Sequence, residues 1–350
     1  RESNAGFDVE VPSHRLDVKI PEDLIEEIGR TYGYDNIKPE APRASLIAPD
    51  RNTKLVWRSR TREVFKGFGF SETYNYSFIS QSLNSGLEAQ GINSCELENP
   101  VSKEFSHLRP LLMFGILGNI AANLKYDSEV KIFEMGNVFY TEDGLAEGEH
   151  LAVAAVGKSK GENNFYELKG FLDEYLSSLG ISDYYFKPVD SSDFGYGLLH
   201  SGRAATLKIG NNYGGFIGEV HPDIRSMYNI DERVFLAELD FERIANEADE
   251  EHIYMGASKY PEVLRDVSLL APREVMVADV LNIMHAVSPS LLRDVDLFDM
   301  YEGENLPNGK KSLAFHLIFQ SNDRTLESRE VDEAISKIVE ALEGEGWEVR

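Results

Sequence analysis

Six runs between Val263 and Arg350 follow one another as strand, helix, strand, strand, helix and strand. Val263–Leu270, Leu291–Tyr301, Lys311–Gln320 and Trp347–Arg350 read as strands. Val277–Ala286 and Arg329–Leu342 read as helices, the second with Val331, Ile335, Ile338 and Leu342 in register. The order βαββαβ is that of the split βαβ, ferredoxin-like sheet, and Pro307-Asn308-Gly309 supplies the turn between its middle strands. Both helices of such a sheet cover one face and leave the other open. Alternation predicts Leu313, Phe315, Leu317 and Phe319 inward, together with Phe298, Met300, Val267 and Leu269. The same parity turns Ser268, Asp299, Tyr301, Ser312, Ala314 and His316 outward. An open face with an aromatic ring and small polar groups suits unpaired bases. It suits packing on the rest of the chain, or a small metabolite, equally well.

Upstream, the periodicity breaks twice. Prolines at 39, 42 and 49 read as an extended linker over Lys38–Asp50, and the charged run Asn246–Glu251 reads as a second. The expected divisions are therefore 1–40, 41–255 and 256–350. The central block opens with Thr53 as N-cap of a helix running to Gly67. In it Lys54, Arg58, Arg62 and Lys66 stand four apart and form one basic stripe, either a solvated face or a surface for phosphates or an acidic partner. Strands over Phe68–Phe78, Lys131–Tyr140, Leu151–Gly157, Ala204–Ile209 and Gly215–Val220, with helices over Pro110–Lys125 and Phe165–Leu179, predict an α+β domain rather than a doubly wound sheet.

In the first block, Val9–Ile20 reads as a strand and Pro21 opens a helix that Gly33 ends. Leu24, Ile25 and Ile28 form its expected buried stripe. Asp23, Glu26 and Glu27 fall at i, i+3 and i+4 on the opposite face, within reach of Asp17. Hard oxygen donors in that number suit magnesium; a solvated acidic face with Glu26 paired to Arg30 accounts for the spacing as well.

The chain carries 60 acidic against 35 basic residues, a net charge of −25, so its overall field repels a polyanion and any nucleic acid must be met locally. Cys95 is the one cysteine of the sequence, which excludes an internal disulfide and a cysteine-rich zinc site. The eight histidines are scattered without a His-x-x-x-His pair. No apolar run reaches the ~18 residues of a membrane span. The chain begins at Arg1 without the apolar core of a signal peptide, and reads as a cytoplasmic protein lacking an amino-terminal part.

Three stretches taken together have a family character. They are Val11–Ile37 (VPSHRLDVKIPEDLIEEIGRTYGYDNI); Glu98–Ser102 with Leu108–Pro110; and Lys259–Asp266 with Leu297–Tyr301 and Lys311–Phe315. In these the chain resembles the beta subunits of bacterial phenylalanyl-tRNA synthetases, over nearly its whole length. The resemblance implies an α+β chain of three parts. These are the second half of a magnesium-binding, helix-turn-helix-like domain at 1–40, a non-catalytic class II synthetase-like antiparallel sheet domain at 41–255, and a ferredoxin-fold anticodon-binding domain at 256–350. It implies Mg2+ at Asp17, Asp23, Glu26 and Glu27, shared with an alpha subunit. It also implies anticodon contacts from Ser268, Asp299, Tyr301 and Ser312, with Tyr301 stacking; position 268 is alanine in some relatives. The implied partners are two alpha chains to two beta chains, and tRNA(Phe). ATP is then a substrate of the whole enzyme, the alpha chain performs activation and transfer, and this chain contributes no catalytic residue. Arg109 and Glu134 lie nearest to class II catalytic positions, and an ordinary ion pair explains them equally. Two other expectations are an independent class II-like enzyme activating a carboxylate and an amino-acid-sensing ferredoxin-like regulator.

Overall fold

The computed structural model describes residues 2–3, 6–43, 45–88, 90–141, 144–157, 163–250, 258–288, 290–303 and 306–350. The chain forms two units, Arg1–Asp249 and Glu250–Arg350.

In the first unit, α1 is Pro21–Tyr32, with Pro21 in its first turn and Gly33 just past its end. The expected strand over Val9–Ile20 is absent; these residues form turns and irregular backbone. The expected buried stripe is also overturned. Ile25 and Ile28 are 67% and 68% exposed, because amphipathic spacing specifies which face is apolar, not what covers it. Residues 38–43 and 45–52 are without regular structure, as the prolines predict.

The helix α2 (Thr53–Gly67) is capped by the Asn52 side chain, which accepts from Leu55 N; Thr53 is its first residue, not its cap. The short strand β1 (Ser71–Glu72), and not a long strand over 68–78, follows it. After α3 (Met113–Asn123) come β2 (Val130–Thr141), β3 (Leu145–Val156), α4 (Asn163–Ser178), β4 (Tyr184–Pro188), β5 (Leu199–Ile209), β6 (Asn212–Val220), β7 (Phe235–Asp240) and α5 (Phe241–Glu247). They build a seven-stranded sheet in the order β1-β2-β3-β7-β6-β5-β4. Its pairings are antiparallel apart from β1 with β2. Alternation splits each central strand between two cores. Ala152, Ala154 and Leu236 face α3, whereas Leu151, Val153 and Phe235 pack with Trp57 and Phe65 of α2 and Leu172 and Tyr175 of α4. The charged run expected as a linker begins within α5, and its residues 248–250 follow without regular structure; 251–257, with the division at 255/256, lie outside the described residues.

The second unit follows the predicted order: β8 (Val263–Pro272), α6 (Val277–Val287), β9 (Leu292–Tyr301), β10 (Lys310–Phe319), α7 (Ser328–Gly344) and β11 (Glu348–Val349). Its four-stranded sheet runs β9-β10-β8-β11, antiparallel throughout. Leu313, Phe315, Leu317 and Phe319 are fully buried against Val280 and Met284 of α6 and Val331 and Ile338 of α7. Each such side chain contributes roughly 1.5–3 kcal/mol relative to exposure. Both helices therefore lie on one face, and the sheet's second face stays open within this unit.

Candidate nucleic-acid interface

The four residues expected on the open face are brought together by strand register. Ser268 of β8 and Asp299 of β9 pair with Ala314 of β10 from opposite sides, and Tyr301 pairs with Ser312. Paired residues project to the same face, so the four side chains occupy two neighbouring rungs roughly 7 Å apart along β10. Tyr301 is 42% exposed. A Cβ at Gly303 would stand 2.2 Å from Tyr301 Oη, so a side chain there would displace the ring. The carbonyl of Ser268 accepts from Arg350 N at 2.7 Å, which ties the chain's last residue to β8.

One expectation about this face fails. Leu297 pairs with Phe315 and Asp299 with Ala314, so Phe298 is the extra residue of a bulge in β9. The bulge breaks the alternation, and Phe298 points outward instead of into the core. Its ring stacks on His316 with centroids 3.9 Å apart and planes 15° from parallel. His316 pairs in register with Asp266 on one side and Asp296 on the other, and its Nδ1 sits 2.6 Å from Asp266 Oδ1.

At the amino end Asp17 and Glu27 do come together, but around a guanidinium. Arg15 Nη2 donates to Asp17 Oδ2 at 2.7 Å and to Glu27 Oε1 at 2.5 Å, and Arg30 pairs with Glu27 rather than with Glu26. Asp23 Oδ2 accepts from the backbone N–H of Lys19 and Ile20, at 2.7 and 3.0 Å, and so closes the first turn of α1. The Arg15 hydrogen bonds hold Asp17 down to about 2 and Glu27 below its usual range, while the two backbone amides lower Asp23. All three stay ionised, and a guanidinium already balances two of them. Among the described residues no three His, Cys, Asp or Glu side chains stand close enough to hold a metal ion. In this arrangement the set does not fit a shared magnesium.

The basic stripe of α2 is likewise paired within the chain. Lys54 meets Glu149 and Glu242, Arg58 meets Glu149, Arg62 meets Glu72 and Lys66 meets Glu63. Of the buried carboxylates in the sheet, Glu134 and Glu238 lie on the face toward α3. Glu134 bonds Arg109 Nη1 at 2.7 Å and accepts from Asn75 N and Nδ2, while Arg109 Nε donates to the carbonyl of Asn137. Glu238 accepts from Leu112 N and Met113 N at the start of α3, and from across the sheet His150 Nδ1 stands 2.9 Å away. Arg109 and Glu134 are thus a structural ion pair.

The family model of the phenylalanyl tRNA synthetase beta chain CLM domain matches residues 37–241. The chain belongs to the phenylalanyl-tRNA synthetase beta chain family. The ferredoxin-fold anticodon binding domain matches residues 258–350 and the tRNA synthetase B5 domain residues 1–34. Curated relatives named phenylalanine--tRNA ligase beta subunit include that of Fusobacterium nucleatum subsp. nucleatum, 32% identical over 95% of this chain and 42% of its own. That of Legionella pneumophila (strain Paris) is 33% identical over 99% of this chain and 44% of its own. That of Lactiplantibacillus plantarum is 34% identical over 99% and 44%. The chain therefore spans under half the length of these phenylalanyl-tRNA synthetase relatives. A solved pyrrolysyl tRNA synthetase of Desulfitobacterium hafniense overlays 56% of this chain and 73% of its own at a TM-score of 0.45 and 16% identity. No helix among the described residues is long and apolar enough to cross a membrane.

Proposed function

We propose that this chain is the tRNA-placing part of a cytoplasmic, ATP-dependent phenylalanine-tRNA ligase. In it the 256–350 block reads the anticodon of tRNA(Phe), the 41–255 block scaffolds the catalytic alpha subunit, and 1–40 belongs to the helix-turn-helix-like domain that precedes them. Two alpha and two beta chains make the assembly. The observation that carries this reading is the convergence of Ser268, Asp299, Tyr301 and Ser312 on the one helix-free face of the second unit. Tyr301 offers a flat π surface to an unpaired base, Asp299 accepts N–H groups from its edge, and the two serines adapt as donor or acceptor. No phosphate cradle is needed for such readout.

The central block supports a scaffold because Glu134, Glu238 and Arg109 are spent on each other and on the backbone, and the buried Glu149 and Glu219 on lysine and arginine side chains. An activation site needs such groups free, to meet a triphosphate. Since Asp17, Asp23 and Glu27 are already balanced by protein donors, no step of this reading passes through magnesium. The test is phenylalanine-dependent pyrophosphate exchange. The chain alone should show none, and the alpha subunit together with the chain should show it. Exchange by the chain alone would overturn the assignment.

A further inference from the structure

The mechanism above uses Tyr301 and its neighbours but leaves the Phe298–His316 stack without a role. Phe298 is 49% exposed although it is a large apolar ring. A bulge holds it on the open face, whereas regular alternation would have buried it. Beside the stack lies a hollow of about 530 Å3 lined by Leu264, Arg265, Asp266, Asp296, His316 and Ile318. His316 is four residues along β10 from Ser312, the partner of Tyr301, or about 13 Å, and Phe298 leans over His316, so the stack and Tyr301 offer separate surfaces.

We propose that the Phe298–His316 stack is a second base-binding platform on this face, taking an unpaired nucleotide of the RNA other than the one on Tyr301. The inference rests on the anticodon-binding reading and adds to it a second subsite. The occupant follows from chemistry. Two parallel rings offer a π surface on which a third ring continues the stack, and sheets of four strands bind single-stranded RNA by stacking two or three bases on facial aromatics. The carboxylates of Asp266, Asp296 and Asp299 repel phosphates from the surface but accept N–H groups. The face thus favours a base inserted edge-on to the acids, with its backbone held away. Asp296, exposed and in register with His316, is placed to accept an exocyclic amine or ring N–H, and so selects bases with donors on that edge.

Binding of tRNA(Phe) transcripts to the complex of this chain with the alpha subunit, followed by fluorescence anisotropy, tests this. Phe298→Ala should weaken binding about 5- to 150-fold, the loss expected for one base stack, and Phe298→Tyr should restore most of it. Abasic nucleotides placed one at a time in the anticodon loop then locate the base. The effects of Phe298→Ala and of one abasic position should fail to add, at a position different from the one coupled to Tyr301→Ala. Undiminished binding by Phe298→Ala, with Tyr301→Ala still impaired, overturns the second platform and leaves the anticodon reading standing. Coupling of both residues to the same nucleotide overturns it also. If neither variant weakens binding, both readings fail.

Discussion

Arg109 and Glu134 show what a pair of opposite charges does when both are buried. Their side chains are 6% and 0% exposed, and each keeps further hydrogen bonds to Asn75 or Asn137. Removing one partner leaves the other as an uncompensated charge, at about 3–5 kcal/mol. Arg109→Met should therefore lower the urea midpoint of the first unit by that equivalent, and Arg109→Met with Glu134→Leu should recover part of it. A single variant as stable as the parent would show that the pair is solvated. Residue identity made such pairs visible as candidates, but partners were less legible. The stripe of four basic residues in α2 was readable from its spacing; the acids that neutralise it come from β1, β3 and α5 as well as from α2 itself. Arg15 was missed for the same reason, since its two carboxylates lie 2 and 12 positions away.

At the scale of elements, α3 depends on a strand far away in sequence. Its N-cap position is Leu112, which has no side-chain acceptor, and Glu238 of β7 supplies one to two of the first free amides. Glu238→Ala should cost about 1–3 kcal/mol in chemical denaturation, the penalty for buried donors left unpaired. An unchanged midpoint would mean that water replaces the carboxylate. Strands with one wet face were legible because alternation marks them: β10 alternates along its whole length, and its inward set came out as read. The strand β7 is buried on both faces and offers no period of two; the same holds for the stretch Gly215–Val220, which its apolar run alone marks. The bulge at Phe298 lay beyond alternation altogether. One inserted residue leaves the composition of a strand unchanged and reverses the facing of everything before it.

For the whole molecule, charge decides how RNA can be held. From Ser258 onward the chain has 10 basic and 18 acidic residues, a net charge of −8 within a total of −25. On the proposed reading phosphate neutralisation supplies little, and affinity would come from stacking and base-edge hydrogen bonds on the second unit, with phosphate contacts made elsewhere in the assembly. The βαββαβ order and the open face could be read from the sequence because they follow from periodicity within 95 residues. The seven-stranded sheet's strand order could not, since it depends on pairings between distant runs. The measurement that bears most directly on the account is the affinity of the alpha–beta complex for tRNA(Phe) with Tyr301→Ala, alongside phenylalanine-dependent pyrophosphate exchange by the same preparation. Binding should weaken about 5- to 150-fold with exchange unchanged. Undiminished tRNA binding, or exchange lost together with it, would contradict a chain that reads the anticodon and leaves the chemistry to its partner.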